Sequence, residues 1–183
     1  VLTNTFGGTR YRLQLHGAQD RVTELNDAAA AIAREEADRA DHPVVVAGSI
    51  GPTGEIMQPV GNLSLQDATE AFAEQAQALS SGGVDVLWLE TLSSKEEMRA
   101  AGQAAAATGL PVVATMTFDT NGSTMMGVSP MELVGLYREM VPRLVAFGAN
   151  CGIGAADLLG ALLAMVRQID DSDILVAKSN CGI

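Results

Sequence analysis

Short runs of Val, Ile and Leu recur at similar intervals through the 183-residue sequence and limit the folds that it can adopt. The runs occupy residues 44–47, 84–89, 111–115, 144–147 and 174–177. Continuous apolar runs of this length are typical of strands that are covered on both faces, as in parallel sheets. The sequence therefore predicts a parallel β-sheet that lies between layers of other secondary structure.

The segments between these runs have the composition of helices. Helices are predicted over residues 23–40, 64–79, 94–107, 130–140 and 155–169. Ser64 and Ser129 are candidate N-caps, and Pro130 takes the first helical position after Ser129. Strand and helix alternate along the whole chain, which predicts an α/β fold.

Alternating strands and helices are compatible with two architectures, a doubly wound open sheet and a closed (β/α)8 barrel. An open sheet concentrates its functional loops where the strand order reverses. Here polar and small residues with a nearby glycine follow six successive strands, in TNTFGG, AGSIGP, LETLSS, TMTFDTNG, GANCGIG and AKSNCG. This distribution favours a (β/α)8 TIM barrel with its site in a ring at the C-terminal face.

A closed barrel of this kind takes about 250 residues, more than this sequence provides. Residues 1–4 resemble the end of a strand, and the sequence stops shortly after the run at 174–177. We therefore expect residues 1–183 to form one partial barrel domain. It would cover roughly the second to the seventh strands, with N- and C-terminal units missing.

The charge balance limits the partners. Asp and Glu number 22 against 11 Lys and Arg, which gives a net charge of -11. Phosphate backbones and anionic lipid surfaces repel such a chain, so we expect no nucleic acid and no membrane as partner. The two cysteines fit a reducing compartment, and no export signal is readable, so a cytoplasmic location is expected.

Four stretches of the sequence carry a resemblance to a known family. They are TNTFGGTRYRL at residues 3–13, AGSIGPTGE at 47–55, VDVLWLETLSSKEEMRAA at 84–101, and MTFDTNGSTMMG with GANCGIG between 116 and 154. In order and approximate spacing they resemble the homocysteine S-methyltransferase family. These zinc-dependent barrels include betaine-homocysteine methyltransferase and the homocysteine-binding module of cobalamin-dependent methionine synthase. The resemblance implies methyl transfer to the sulfur of homocysteine, giving methionine.

Cys151, within GANCG, is the residue to which the resemblance assigns the central role. In the family three cysteine thiolates hold zinc and the substrate sulfur takes the open position, as in other catalytic zinc sites. Cys151 corresponds to the first of these ligands, and the adjacent pair that supplies the others is expected beyond Ile183. Cys151 also precedes the helix predicted from residue 155, whose positive end stabilises a thiolate. The alternative is a small buried side chain, the usual role of a lone cysteine.

Asn180 and Cys181 follow the last predicted strand in KSNCG. The resemblance implies that Asn180 is a weak zinc ligand before the substrate arrives, and a turn-forming asparagine is the alternative. Cys181 matches no ligand position of the family, so a role in packing or at the pocket edge is favoured over zinc binding.

Glu90 follows a strand-like apolar run, so its carboxylate must face the solvent at the barrel mouth or a buried partner. The resemblance implies that Glu90 binds the ammonium group of homocysteine through a charge-assisted hydrogen bond. The alternative is a cap for Ser93 and Ser94. Asn4 and Ser49 also stand at strand ends, and either is a candidate to hold the substrate or to orient the donor.

The methyl donor stays open at this point. The resemblance implies Zn2+ as cofactor and allows betaine, S-methylmethionine or methylcobalamin as donor, the last through a corrinoid domain or protein. A second copy of the chain is a further candidate partner. Two other interpretations stand beside methyl transfer. One is a catalytically silent barrel that has only a binding or structural role. The other is a metal-free aldolase-type barrel with Lys178 as its reactive lysine.

Overall fold

The computed structural model describes residues 1–141, 143–152 and 154–180. Strands β1 to β5 span Ala47–Ile50, Val86–Leu92, Val112–Met116, Ala146–Cys151 and Leu175–Ser179. Helices α1 to α6 span Arg10–Gln14, Val22–Asp38, Leu65–Ser81, Lys95–Ala106, Pro130–Glu139 and Ala155–Val166. A short 3-10 helix, Gln19–Arg21, precedes α2.

The five strands form one parallel sheet in the sequential order β1-β2-β3-β4-β5. Leu2 adds a parallel bridge to Ala47 beside β1, so residues at the start of the chain extend the sheet. A doubly wound sheet would reverse its strand order, whereas a barrel adds each strand beside the previous one. The structure therefore confirms the partial (β/α)8 TIM barrel, and the sheet does not close within the described residues.

The predicted helices are confirmed with small changes at their ends. The side chains of Ser64, Ser94 and Ser129 each accept a hydrogen bond from a backbone N–H in the first turn of α3, α4 and α5. Glu132 completes a capping box with Ser129. Helix α1 was not predicted, because five residues are too few for a periodic pattern. None of the helices in these ranges combines the length and the apolar character that crossing a lipid bilayer requires.

The strands start later and run further than their apolar runs indicate. Pairing of β1 begins at Ala47, because the N–H of Val46 donates to the carboxylate of Asp85 at 2.7 Å instead of to a neighbouring strand. At the other end, Glu90 was predicted to end its strand but lies inside β2, and Cys151 was predicted to follow a strand but is the last residue of β4. Backbone pairing thus continues past the point where the side chains become polar.

Alternation of side chains along the strands divides helix-facing from interior positions. Gly48 faces α3, since a Cβ there would lie 3.1 Å from Leu79 Cδ1. Ser49 therefore points into the barrel interior, and its partner on β2 is Trp88. On the helix-facing side, Leu87 and Leu89 are fully buried in the core.

Gly148 in β4 gives a prediction about stability. A Cβ at this position would lie 2.1 Å from the carbonyl oxygen of Val176 in β5, far inside contact distance. We expect Gly148→Ala to push β5 away from β4 and to lower the free energy of unfolding by about 1–3 kcal/mol, measured by urea denaturation. Gly160→Ala in α6 is the matched control, because its Cβ meets no atom within 4 Å. Equal stability of the two variants would contradict the prediction.

Candidate active site

Polar side chains from four strands meet inside the barrel near the carboxyl ends of the strands. Ser49, Glu90 and Asn150 are 2%, 5% and 1% exposed, and the register pairs Asn150 with Lys178. Sites of TIM barrels lie at this end of the sheet. Polar side chains that were expected at strand ends thus meet at one end of the described part of the barrel.

Both oxygens of the Glu90 carboxylate have partners. The hydroxyl of Ser49 donates to Oε1 at 2.6 Å, and the ammonium group of Lys178 donates to Oε2 at 2.5 Å. Neither contact involves Ser93 or Ser94, so Glu90 is not the cap that the alternative required. The Lys178 ammonium compensates a buried carboxylate that would otherwise be strongly unfavourable.

Ser49 is positioned by the first residues of the chain. Its N–H donates to Thr3 Oγ1 at 3.0 Å, and its carbonyl accepts from Thr5 Oγ1 at 2.7 Å. Asn4 between them is exposed and borders a groove beside α2, together with Ala29 and Ile32. The structure thus brings Ser49 and Glu90 together and leaves Asn4 outside their hydrogen-bonded group.

Cys151 ends β4 in a conformation that is rare for its residue type. Its φ is +55°, and Thr91 in β2 has φ +65° beside a shift in the pairing of β2 with β3. The Asn150 side chain joins the two: its Nδ2 donates to Thr91 Oγ1 at 2.7 Å and to Cys151 Sγ at 3.2 Å, and its Oδ1 accepts from Thr91 N at 2.9 Å. Strained backbone of this kind concentrates at functional sites.

Cys151 is partly exposed, whereas the alternative of a packing residue predicts a buried side chain. Asn180 lies close by, because its side-chain Nδ2 donates to the carbonyl of Gly152 at 3.4 Å. These residues fit one side of a zinc site, with a sulfur ligand and a neighbouring amide. Within the described residues no three His, Cys, Asp or Glu side chains come together to complete it. Cys181 lies outside the described residues.

A cleft of about 230 Å³ opens next to this group. Thr91 and Thr117 border it, and Thr117 Oγ1 accepts from the N–H of Gly152 at 3.3 Å. Met125 and Met126, from the loop after β3, contribute apolar surface. The cleft is therefore large enough for a small molecule and reaches the segment that carries Cys151.

Comparison with known proteins decides the family. The sequence matches the family described as homocysteine S-methyltransferase over residues 1–182. The chain belongs to the homocysteine S-methyltransferase family.

Two methionine synthases are similar in sequence to most of this chain. The chain is 30% identical to methionine synthase of Mycobacterium tuberculosis (strain ATCC 25618 / H37Rv) over 178 residues, which cover 92% of this chain and 15% of that protein. The methionine synthase of Mycobacterium leprae (strain TN) is 29% identical over 168 residues, or 86% of this chain and 14% of that one. This chain thus spans a small part of these relatives.

The homocysteine methyltransferase MmuM from Escherichia coli has the same fold. Its oxidized form superposes with a TM-score of 0.80 at 24% identity, over 99% of this chain and 65% of that one. Its metallated form gives a TM-score of 0.78 at 22% identity. The shared part is the run of parallel strands and helices that carries the site.

Sequence reasoning about this homocysteine S-methyltransferase family member missed two groups at the site. Asn150 was not predicted as a site residue, although a polar residue directly before Cys151 was a usable signal. Lys178 was read as a candidate nucleophile and not as the partner of Glu90. That contact joins residues 88 positions apart and follows only from the strand register.

Glu97 gives a pH prediction within the same cleft. It is 3% exposed, and burial raises the pKa of its carboxyl group above 4.5, although the N–H and hydroxyl of Thr53 both donate to it. Its contribution to stability is therefore fully present below pH 4.5 and is lost as the pH rises through the folded-state pKa. Glu97→Gln keeps an acceptor oxygen and cannot ionise, so its stability relative to wild type should increase from pH 4.5 to about pH 7.

Urea denaturation at both pH values measures this difference. Glu96→Gln, in the same turn but exposed, is the matched control and should leave the pH dependence unchanged. Parallel stability profiles for wild type and Glu97→Gln would contradict the prediction.

Proposed function

We propose that residues 1–183 form one partial homocysteine-binding barrel domain of a zinc-dependent methyltransferase that transfers a methyl group to homocysteine and yields methionine. The observation that carries the proposal is the position of Cys151. Its partly exposed thiol stands at the carboxyl edge of the sheet, fixed by Asn150, in a chain that matches the family over residues 1–182. Glu90 supplies a buried carboxylate at the same edge.

Cys151 and Asn180 are the residues that would hold zinc in this chain. Zinc keeps a coordinated thiol deprotonated, which makes homocysteine a nucleophile at neutral pH. Two further sulfur ligands would have to come from outside the described residues. The Asn150 amide contributes by donating to the sulfur of Cys151, which fixes the direction of that side chain.

Glu90 and Ser49 would bind the amino acid end of homocysteine. The carboxylate of Glu90 takes the ammonium group, and the Ser49 hydroxyl fixes the orientation of that carboxylate. Asn4 is a weaker candidate for this role, because it is exposed beside α2.

The cleft next to Thr91 and Thr117 would receive the methyl donor. Its apolar methionines and its volume of about 230 Å³ suit a small donor such as betaine or S-methylmethionine. Methylcobalamin would have to approach the open mouth of the barrel, carried by a corrinoid domain or protein.

The aldolase alternative loses support from the contact of Lys178 with Glu90. A lysine that attacks a carbonyl needs a free amino group, whereas the amino group of Lys178 is held by the Glu90 carboxylate. A catalytically silent barrel remains the alternative that an assay must address.

The test is methionine formation by the full-length protein. We expect about one zinc ion per barrel by elemental analysis, and methionine by mass spectrometry from homocysteine with at least one of betaine, S-methylmethionine and methylcobalamin. Removal of zinc with a chelator should abolish the product. A zinc-free protein that forms no methionine with any of the three donors would refute the proposal and favour the silent barrel.

A further inference from the structure

Lys178 is a charged residue at this site that has no role in the proposed methyl transfer. It lies in β5, opposite Asn150 in β4, and its ammonium group reaches Glu90 in β2. The Lys178 side chain is 41% exposed, whereas that of Glu90 is 6% exposed. The carboxylate is thus buried, whereas the ammonium side chain is partly exposed.

The hydrogen-bonding capacity of the pair exceeds its present use. A lysine ammonium has three N–H donors, and a carboxylate accepts at about four lone-pair positions. Lys178 donates one hydrogen bond to Glu90, and Glu90 accepts one more from Ser49. A substrate ammonium group can therefore bind to Glu90 without displacing Lys178.

The charges of the pair match those of an α-amino acid. Homocysteine carries an ammonium and a carboxylate on the same carbon, so Glu90 alone would leave the substrate carboxylate without a counter-charge. The Lys178 ammonium lies directly beside Glu90, within reach of a carboxylate on the same carbon as an ammonium group bound to Glu90. Two opposite pairs of charges then alternate around one site, which is favourable in a partly desolvated environment.

The strand register places this pair next to the reactive sulfur. Asn150 pairs with Lys178, and Cys151 pairs with Ser179, one position further along β4 and β5. Paired residues of neighbouring strands lie about 4.8 Å apart. The two methylene groups between the α-carbon and the sulfur of homocysteine are enough to connect these positions.

We infer that Lys178 binds the α-carboxylate of the thiol substrate while Glu90 binds its α-ammonium group, so that the pair selects zwitterionic amino acids. This inference rests on the proposed function for the identity of the substrate, but it concerns binding and is testable without turnover. The competing role for Lys178 is that of a placeholder, which occupies the ammonium position of Glu90 until the substrate displaces it.

Calorimetric titration of the full-length protein with three thiols separates these roles. L-Homocysteine carries both charges, 3-aminopropane-1-thiol lacks the carboxylate, and 4-sulfanylbutanoate lacks the ammonium group. Lys178→Met should raise the Kd of L-homocysteine and of 4-sulfanylbutanoate by about tenfold or more, as the loss of a charge-assisted hydrogen bond requires. The Kd of 3-aminopropane-1-thiol should stay constant or fall, because Glu90 loses a competing cation.

Two further variants complete the experiment. Lys178→Arg keeps the charge and should restore most of the affinity for L-homocysteine. Lys95→Met removes the same charge from an exposed pair with Glu132 and should leave all three Kd values unchanged. If Lys178→Met does not fold, the wild type alone remains informative, because it should bind L-homocysteine more tightly than 3-aminopropane-1-thiol.

Several outcomes would overturn the inference. One is that Lys178→Met raises the Kd of L-homocysteine and that of 3-aminopropane-1-thiol equally. Another is that Lys178→Met leaves the Kd of L-homocysteine unchanged or lowers it. The third is that the wild type binds L-homocysteine and 3-aminopropane-1-thiol with the same Kd. Failure of the proposed function has a different signature, since it is the absence of methionine in the turnover assay whatever the binding pattern.

Discussion

Cys151→Ser is expected to remove zinc from the protein and to lower kcat/KM for methyl transfer by about 1,000-fold or more. A serine hydroxyl is not ionised at neutral pH and is a poor zinc ligand, whereas a cysteine thiolate is one of the strongest. Elemental analysis and initial rates with homocysteine measure the two effects. The fold should persist within about 1 kcal/mol, because the side chain is partly exposed and serine is nearly the same size.

Cys181→Ser is the matched control for this experiment. It makes the same substitution in the same region of the sequence, at a cysteine for which the family pattern predicts no ligand role. Zinc and turnover should both persist in Cys181→Ser. Retained zinc-dependent activity in Cys151→Ser would refute the assignment of Cys151. Loss of zinc in Cys181→Ser but not in Cys151→Ser would show that Cys181 is the ligand.

Glu90→Gln should raise the KM for homocysteine by about 10- to 100-fold while the zinc content stays constant. Glutamine keeps an oxygen that can accept from Ser49 but loses the charge that binds the substrate ammonium group. Initial-rate kinetics and elemental analysis of the same preparation give both quantities. A higher KM with an unchanged zinc content distinguishes a substrate-binding residue from a structural one.

The control for Glu90→Gln is Glu132→Gln, which removes the carboxylate of an exposed pair with Lys95. Surface pairs of this kind contribute little to stability, so neither KM nor zinc content should change. Parallel loss of substrate affinity and zinc in Glu90→Gln would instead indicate a carboxylate that supports the fold of the site.

The pattern of apolar runs was sufficient to predict the sheet, because strands covered on both faces need continuous apolar sequence. The ends of the strands were not predictable in the same way. At the barrel mouth, interior positions such as Glu90 and Asn150 are polar although both lie inside their strands. Polarity marks the position of the site there and not the end of the strand, which is why β2 and β4 extend beyond their apolar runs.

The site itself was predictable only where a short motif carried it. Cys151, Glu90 and Ser49 follow from segments that resemble a family, whereas the contact of Glu90 with Lys178 depends on how β2 and β5 are placed across the barrel interior. The positive φ values of Thr91 and Cys151 accompany hydrogen bonds with the Asn150 side chain and have no local sequence signal such as glycine. These features of the site therefore depend on tertiary contacts and could not be predicted from the motifs.

The most direct test of the central claim is X-ray absorption at the zinc edge of the full-length protein, with and without homocysteine. Zinc binding through Cys151 predicts sulfur ligands at about 2.3 Å from zinc, one more of them after homocysteine is added, and no zinc signal from Cys151→Ser, which loses the metal. A zinc environment without sulfur, or one that is identical in wild type and Cys151→Ser, would contradict it.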